Sequence, residues 1–260
     1  MDILGLSQEQ FKCLILILLR VSIILFMFPV FGGMMVPKPV KAGLALMITI
    51  VLFPIVRPDP RLFPESLVGS INLILSELVL GLIIGLTIRL FFAAIQLSGQ
   101  LIGFQMGFAI ANVLDPESGT QGSILAQLGY WVALLCFLIL DGHHVLLETL
   151  ANSFSIIKMG SLGIGAGIFN RISEVSGDMF AMAIKIGAPA IAALLLTSAA
   201  FGIIARVVPQ VNVLIVAFPI KIVVGLFFFG ISLQILLHFT RQYVTGFEGM
   251  LTVIMRLMRV

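Results

Sequence analysis

Charge is what this sequence has least of. Asp, Glu, Lys and Arg together make up 10% of its 260 residues, against roughly 25% in a soluble domain. A chain so poor in charge cannot cover its own surface with polar groups, and it requires lipid or protein partners as solvent. A soluble enzyme and a disordered chain are both excluded. The net charge of +3 is too small a surplus to imply nucleic acid. Cysteine is nearly absent as well. Cys13 and Cys136 lie in apolar runs without C-x-x-C or metal-ligand spacing, and both read as buried free thiols. Of three histidines, two are adjacent in Asp141-Gly142-His143-His144 and the third is His238. Neighbouring histidines diverge on a helix and no third ligand stands at a suitable spacing, so this run reads as a polar helix-end cap rather than a metal site. Gly160, Gly163, Gly165 and Gly167 lack the Lys-Ser/Thr that a phosphate loop needs. The stretch 160–177 is expected to be an extramembrane connection. No nucleophile–base arrangement stands out. The expectation is therefore no enzyme, no cofactor and no metal.

Apolar residues fill the space: they are 60% of the chain, and its mean hydropathy is +1.20. A membrane-crossing helix takes about 20 mostly apolar residues. Six stretches meet or approach this: Phe11–Phe31, Val40–Val56, Leu67–Ile95, Leu125–Leu140, Met179–Ile204 and Val211–His238. The second and fourth are short enough to be buried among neighbours without spanning. Met1–Gln10 carries Asp2 and Glu9 where a signal peptide has a basic region, and is not expected to be one. If all six cross, one side holds Lys12, Arg57, Arg61, Lys158, Arg171, Arg241, Arg256 and Arg259, and the other Lys38, Lys41 and Arg206. The positive-inside rule then puts both termini in the cytoplasm.

Besides Lys12 and Lys41, each one residue in from a segment start, five charges fall inside the apolar segments. An ionised side chain at the bilayer centre costs roughly 2.5–3.5 kcal/mol, so it usually faces protein or water. Snorkelling towards an interface is the ordinary reading for Arg20, Arg89 and Lys221. Glu77 and Lys185 lie deeper, and buried or pore-facing pairing is expected of them, with a proton relay as the alternative. Pro29, Pro54, Pro189 and Pro219 sit in or at the ends of segments, where proline kinks a helix. Gly81 and Gly85 form a G-x-x-x-G spacing that permits close helix approach. The fold class these features predict is all-α and membrane-associated, with about six apolar helices packed as kinked hairpins.

The stretch 96–127 is different in kind. It holds Gln96, Gln100, Gln105, Gln121 and Gln127 among glycines at 99, 103, 107, 119 and 122. No basic residue lies between Arg89 and Lys158. Within it, Gly103–Pro116 sets Phe104, Met106, Phe108 and Ile110 on a polar, flexible background. Non-helical backbone at membrane depth is tolerated where protein buries it or where it lines an aqueous cavity. Two readings follow: a hydrophobic constriction that gates by excluding water, or a buried packing loop.

Four separated motifs carry a resemblance that spans essentially the whole chain. They are Pro29–Thr49 (PVFGGMMVPKPVKAGLALMIT), Gly103–Gln121 (GFQMGFAIANVLDPESGTQ), Leu140–Phe154 (LDGHHVLLETLANSF) and Gly202–Leu226 (GIIARVVPQVNVLIVAFPIKIVVGL). In this order they resemble the FliR family of export-gate proteins of bacterial flagella, whose counterpart in virulence injectisomes has the same organisation. The resemblance implies a single-copy subunit of a hetero-oligomeric gate with FliP and FliQ, with FlhB and FlhA nearby. It implies residues 1–178 as a FliP-like helical part and 179–260 as a FliQ-like two-helix hairpin and tail. Flagellar rod proteins, unfolded export substrates and membrane lipid would be further partners. The place would be the bacterial inner membrane, in the export apparatus of the flagellar basal body.

The family's plug loop carries over to about 107–115, with Phe108, Ile110 and Val113 as closing side chains, Gly107 as a flexible flank and Asp115 at its end. Gln96, Gln100, Gln105 and Gln121 become candidates for lining the channel. Arg206, Pro209, Gln210 and Asn212 would form a rigid turn facing the cytoplasmic entrance. That is the opposite of the charge count, which places Arg206 outside; the count assumes that each helix inserts independently. Two other classes compete. A small-molecule secondary transporter would use broken helices and Glu77 and Lys185, although no internal repeat relates the halves. A scaffold without a gate would differ only in the role of the loop.

Overall fold

Helix α1 (Gln8–Met27) begins where the sequence supplies a reciprocal cap. The Ser7 hydroxyl accepts the Gln10 N–H at 3.3 Å, and the Gln10 side-chain oxygen accepts the Ser7 N–H at 2.9 Å, which satisfies two otherwise orphaned donors. It ends at Phe28, whose extended backbone (ψ 131) is the conformation favoured before proline. This computed structural model describes residues 7–32, 36–56, 66–108, 123–161, 163, 165–210 and 212–258. After α1 come α2 (Pro29–Gly32), α3 (Lys38–Val56), α4 (Leu67–Met106), α5 (Ile124–Ile139), α6 (Gly142–Ile156), α7 (Ala166–Val207) and α8 (Val213–Leu257). No strand occurs among the described residues. Five helices are long and apolar enough to cross a membrane, or six if α5 and α6, bent by 69° at their junction, make one span. The chain is an all-α membrane protein.

Three helices outrun the apolar segments that announced them. α4, α7 and α8 have 40, 42 and 45 residues, hence lengths of about 60–68 Å at 1.5 Å per residue. That is about twice the hydrocarbon thickness of a bilayer. Helix propagation needs only an intrahelical bond per residue, so α4 continues through Gln96, Gln100 and Gln105. The connection expected at 160–177 is shorter than its glycines suggested, for the same reason. From Ala166 onward it is the first turns of α7, steadied by Arg171–Glu174 at 2.6 Å. Four threonine hydroxyls inside the apolar helices are satisfied by their own backbone one turn back: Thr49 on Ala45, Thr87 on Ile83, Thr197 on Ala193 and Thr240 on Leu236.

The chain divides into two compact units: residues 1–90, 141–175 and 244–260, and residues 91–140 and 176–243. In the first, α1 buries Cys13, Leu16, Ile17, Arg20, Val21 and Ile24 at helical spacing and packs on α2 and α3. Gly81 and Gly85 of α4 face it: a Cβ added at Gly81 would lie 3.1 Å from Ile23, and one at Gly85 2.5 Å from the Met27 Cβ. In the second, the rings of Tyr130 and Phe137 meet Phe92 edge-on and Tyr243 stacks on Phe91 at 3.9 Å. A separate apolar cluster joins Ile102, Met106, Leu125, Ala190, Leu194 and Phe229. Large apolar side chains on α3, α7 and α8, among them Met47, Leu196, Val223 and Phe227, remain exposed. They are the surface that lipid or partner helices cover.

Candidate functional site

Two groups of residues were singled out by type and position, a loop with its flanks and a set of intramembrane charges. α4 ends in a glycine cap. Gly107 takes φ 93, a left-handed backbone that glycine adopts without a Cβ penalty, and its N–H is accepted by the Phe104 carbonyl at 3.0 Å. Phe108 follows, half-buried and packed against the cluster of Ile102, Met106, Leu125, Ala190, Leu194 and Phe229. Ile110, Val113, Asp115 and Gln121 lie outside the described residues. The helical state of 103–106 shortens the loop that the composition had begun at Gly103.

Ser123 holds the N-cap position of α5. Its hydroxyl makes no capping bond and is instead donated to the Gly99 carbonyl at 3.3 Å. A Cβ on Gly99 would stand 2.5 Å from the Ala126 Cα, and one on Gly103 2.5 Å from the Ser123 Oγ. The end of α4 and the start of α5 are therefore in backbone contact. Sequence reasoning missed this pair of glycines, although their G-x-x-x-G spacing was there to be read. Of the amide candidates, Gln96 and Gln105 are half-buried and Gln100 is exposed. Gln96 and Gln100 share a helix face, while Gln105 is turned about 140° from Gln100 at 100° per residue.

Among the charges, Glu77 is 1% exposed and Arg20 fully buried. Arg20 donates through Nε to Glu77 Oε2 at 2.6 Å and through an Nη to Oε1 at 3.0 Å. Its remaining donors reach the Ser153 hydroxyl at 3.2 Å and the Ile157 carbonyl at 3.4 Å, and its guanidinium lies 4.2 Å from the Phe154 ring centroid. The Gly160 N–H, on a residue with φ 77, completes Glu77 at 3.1 Å. The reading of Arg20 as a snorkelling side chain is corrected: a bidentate carboxylate and further acceptors replace its hydration shell. Lys185 is exposed on α7 and is not a buried charge within this chain. Arg89 is exposed too.

Arg206 lies in the last turn of α7, where a cation complements the helix dipole. The Val208 N–H closes that helix on the Ile204 carbonyl at 2.8 Å. Pro209, Gln210 and Asn212 follow as exposed residues, and the Asn212 carbonyl accepts the Ile215 N–H at 3.1 Å. Asp141, a non-glycine residue at φ 57, turns the chain between α5 and α6. His143 and His144 do not diverge as expected, because their rings lie 4.1 Å apart at the first turn of α6. His144 Nδ1 is 3.2 Å from Asp141 Oδ1, with both side chains about 70% exposed. The three donors spread over as much as 4.8 Å, and among the described residues no fourth joins them. This open trio lacks the closed four-ligand set of a structural zinc site.

The sequence matches the family described as "Bacterial export proteins, family 1" over residues 11–247. It is 33% identical over 237 residues to the flagellar biosynthetic protein FliR of Bacillus subtilis (strain 168), covering 90% of this chain and 91% of that protein. It is 30% identical over 223 residues to the protein of that name from Pectobacterium carotovorum subsp. carotovorum, covering 86% and 85%. The corresponding protein of Escherichia coli (strain K12) is 29% identical over 209 residues, covering 80% and 79%.

Proposed function

Because the chain belongs to family 1 of the bacterial export proteins, with flagellar biosynthetic relatives along most of its length, we propose that it is a core subunit of the flagellar type III export gate. In this reading one copy assembles with FliP and FliQ, beside FlhB and FlhA, in the inner membrane at the flagellar basal body. Residues 1–178 are the FliP-like part and 179–260 the FliQ-like hairpin. The exposed apolar surfaces of α3, α7 and α8 supply the faces that such an assembly, or lipid, would cover. Unfolded flagellar proteins pass through the gate, the first of them building the rod, and no chemical step or cofactor is required of this subunit.

The segment 107–115 closes the passage at rest, with Phe108, Ile110 and Val113 as its apolar stopper and Gly107 and Asp115 at its ends. Gln96, Gln100, Gln105 and Gln121 provide uncharged polar lining, and Arg206, Pro209, Gln210 and Asn212 turn the chain at the cytoplasmic mouth. The observation that supports this most directly is the seat of Phe108. A left-handed glycine aims it back onto a buried apolar cluster, so that the loop leaves a rigid helix from an anchored aromatic. The test is Phe108→Gly with Ile110→Gly in cells that assemble the gate. Small-solute leakage across the inner membrane should rise, and a membrane as tight as wild type would remove the plug role.

A further inference from the structure

We propose that Gly99, Gly103 and Ser123 are positioning residues that keep the end of α4 and the start of α5 joined throughout export. The passage then opens without these two stems parting. This rests on the gate reading above and adds to it a fixed frame.

The contacts separate a rigid side from a compliant one. At Gly99 a Cβ would meet the Cα and N of Ala126 at 2.5 and 2.6 Å. These are backbone atoms, which cannot rotate aside, so the helices touch at the limit of approach. One turn later Gly103 faces the Ser123 side chain, whose Oγ would lie 2.5 Å from an added Cβ. Serine is favoured at an N-cap because its hydroxyl accepts a bond from the first turn. Ser123 holds that position without making that bond and ties its hydroxyl across to the Gly99 carbonyl instead. On the other side of the same stretch, the atoms nearest to a Cβ at Gly225 of α8 would be the Cγ, Sδ and Cε of Met106, at 2.5, 2.6 and 3.0 Å. Those atoms belong to a flexible thioether that repacks readily. Movement of this region is therefore assigned to the Met106–Gly225 contact, and the α4–α5 contact stays closed.

The geometry offers a direct test. A Cβ on Gly103 would be 3.4 Å from the Ser123 Cβ, just under the range of about 3.5–4.5 Å that disulfides span. Gly103→Cys with Ser123→Cys, in a Cys13→Ala, Cys136→Ala background, is produced in cells lacking the native chain. Flagellar protein export is then compared for the same variant oxidised with copper phenanthroline and after reduction. Rates within twofold of each other are expected. A tenfold fall on oxidation, reversed by reductant, would overturn the inference while leaving the gate reading intact. Failure of the wild-type chain to restore export in these cells would instead overturn the gate reading.

A gentler pair guards against misfolding of the double variant. Ser123→Ala, which loses the tie, should raise small-solute leakage severalfold with the assembly still recovered at its normal size. Ser123→Thr, which keeps the hydroxyl, should not. Equal tightness of Ser123→Ala and wild type would exclude a positioning role.

Discussion

Arg20 and Glu77 form a bidentate ion pair, at 2.6 and 3.0 Å, between helices whose residues are 57 positions apart. Neither touches solvent, and each has further partners in the segment 153–160. The pair thus fixes the register of α1, α4 and the end of α6 against one another. Removing one partner strands a buried charge, at a cost of roughly 3–5 kcal/mol. Glu77→Gln and Arg20→Met should each lower the thermal midpoint of the purified protein sharply. The double variant Arg20→Met, Glu77→Leu should recover most of the loss, since apolar replacements of similar volume are often tolerated. Additive losses in that cycle would show that the two residues act independently.

Glycines of the first unit divide by what surrounds them. A Cβ at Gly85 would lie 2.5 Å from the Met27 Cβ, whereas nothing lies within 4 Å of one at Gly43. Gly85→Ala should therefore destabilise the protein by about 1–3 kcal/mol through overpacking. Gly43→Ala, on an open face of α3, should stabilise it by up to about 1 kcal/mol through helix propensity. Thermal unfolding of the detergent-solubilised chain measures both, and similar midpoints for the two variants would contradict the α1–α4 contact.

In the second unit the stack of Tyr243 on Phe91 separates ring from hydroxyl. Tyr243→Phe retains the 3.9 Å stack and should cost far less than Tyr243→Ala, which loses a half-buried ring and a stacked pair worth about 0.5–1.5 kcal/mol beyond its buried area. Protease protection of α8 reports the difference. Equal losses would assign the stability to the hydroxyl rather than to the stacked rings.

The Asp141, His143 and His144 trio makes a prediction about metals. Its one ion pair is exposed on both sides, and such pairs contribute about 0–1 kcal/mol. Treatment with EDTA should leave the thermal midpoint unchanged, and His144→Ala should shift it by no more than about a degree or two. A chelator-sensitive midpoint that returns on adding zinc would make the trio a metal site after all.

Much of this architecture was legible because lipid imposes simple rules. Apolar length located α1, α3, α4, α5, α7 and α8, while the glycine- and glutamine-rich stretch turned out to include the last turns of α4. The helix ends were less legible, since Gln96–Gln105 and Asn170–Asp178 are polar yet helical, and hydropathy sees only the part of a helix that lipid or protein covers. Glu77 stood out by its depth, but its partner did not. A long basic side chain in an apolar run reads as snorkelling, and the acceptors of Arg20 at Ser153 and Ile157 are over 130 residues away. The meeting of His143 and His144 rests on an aspartate in left-handed backbone, a local geometry no periodicity announces.

The ion pair of α1 and α4 also has a history in time. A ribosome adds about 5–20 residues per second, so the 57 residues separating Arg20 from Glu77 take roughly 3–11 s at that rate. Ser153, 133 residues beyond Arg20, arrives only after about 7–27 s. During the first interval α1 carries an arginine for which its final site does not yet exist. The helix must keep that guanidinium in water or among lipid headgroups, and it can sink to its final depth only when α4 emerges to receive it. Insertion of this chain is therefore sequential in production but collective in completion, with α1 made before the helices that receive its arginine and settled only after them.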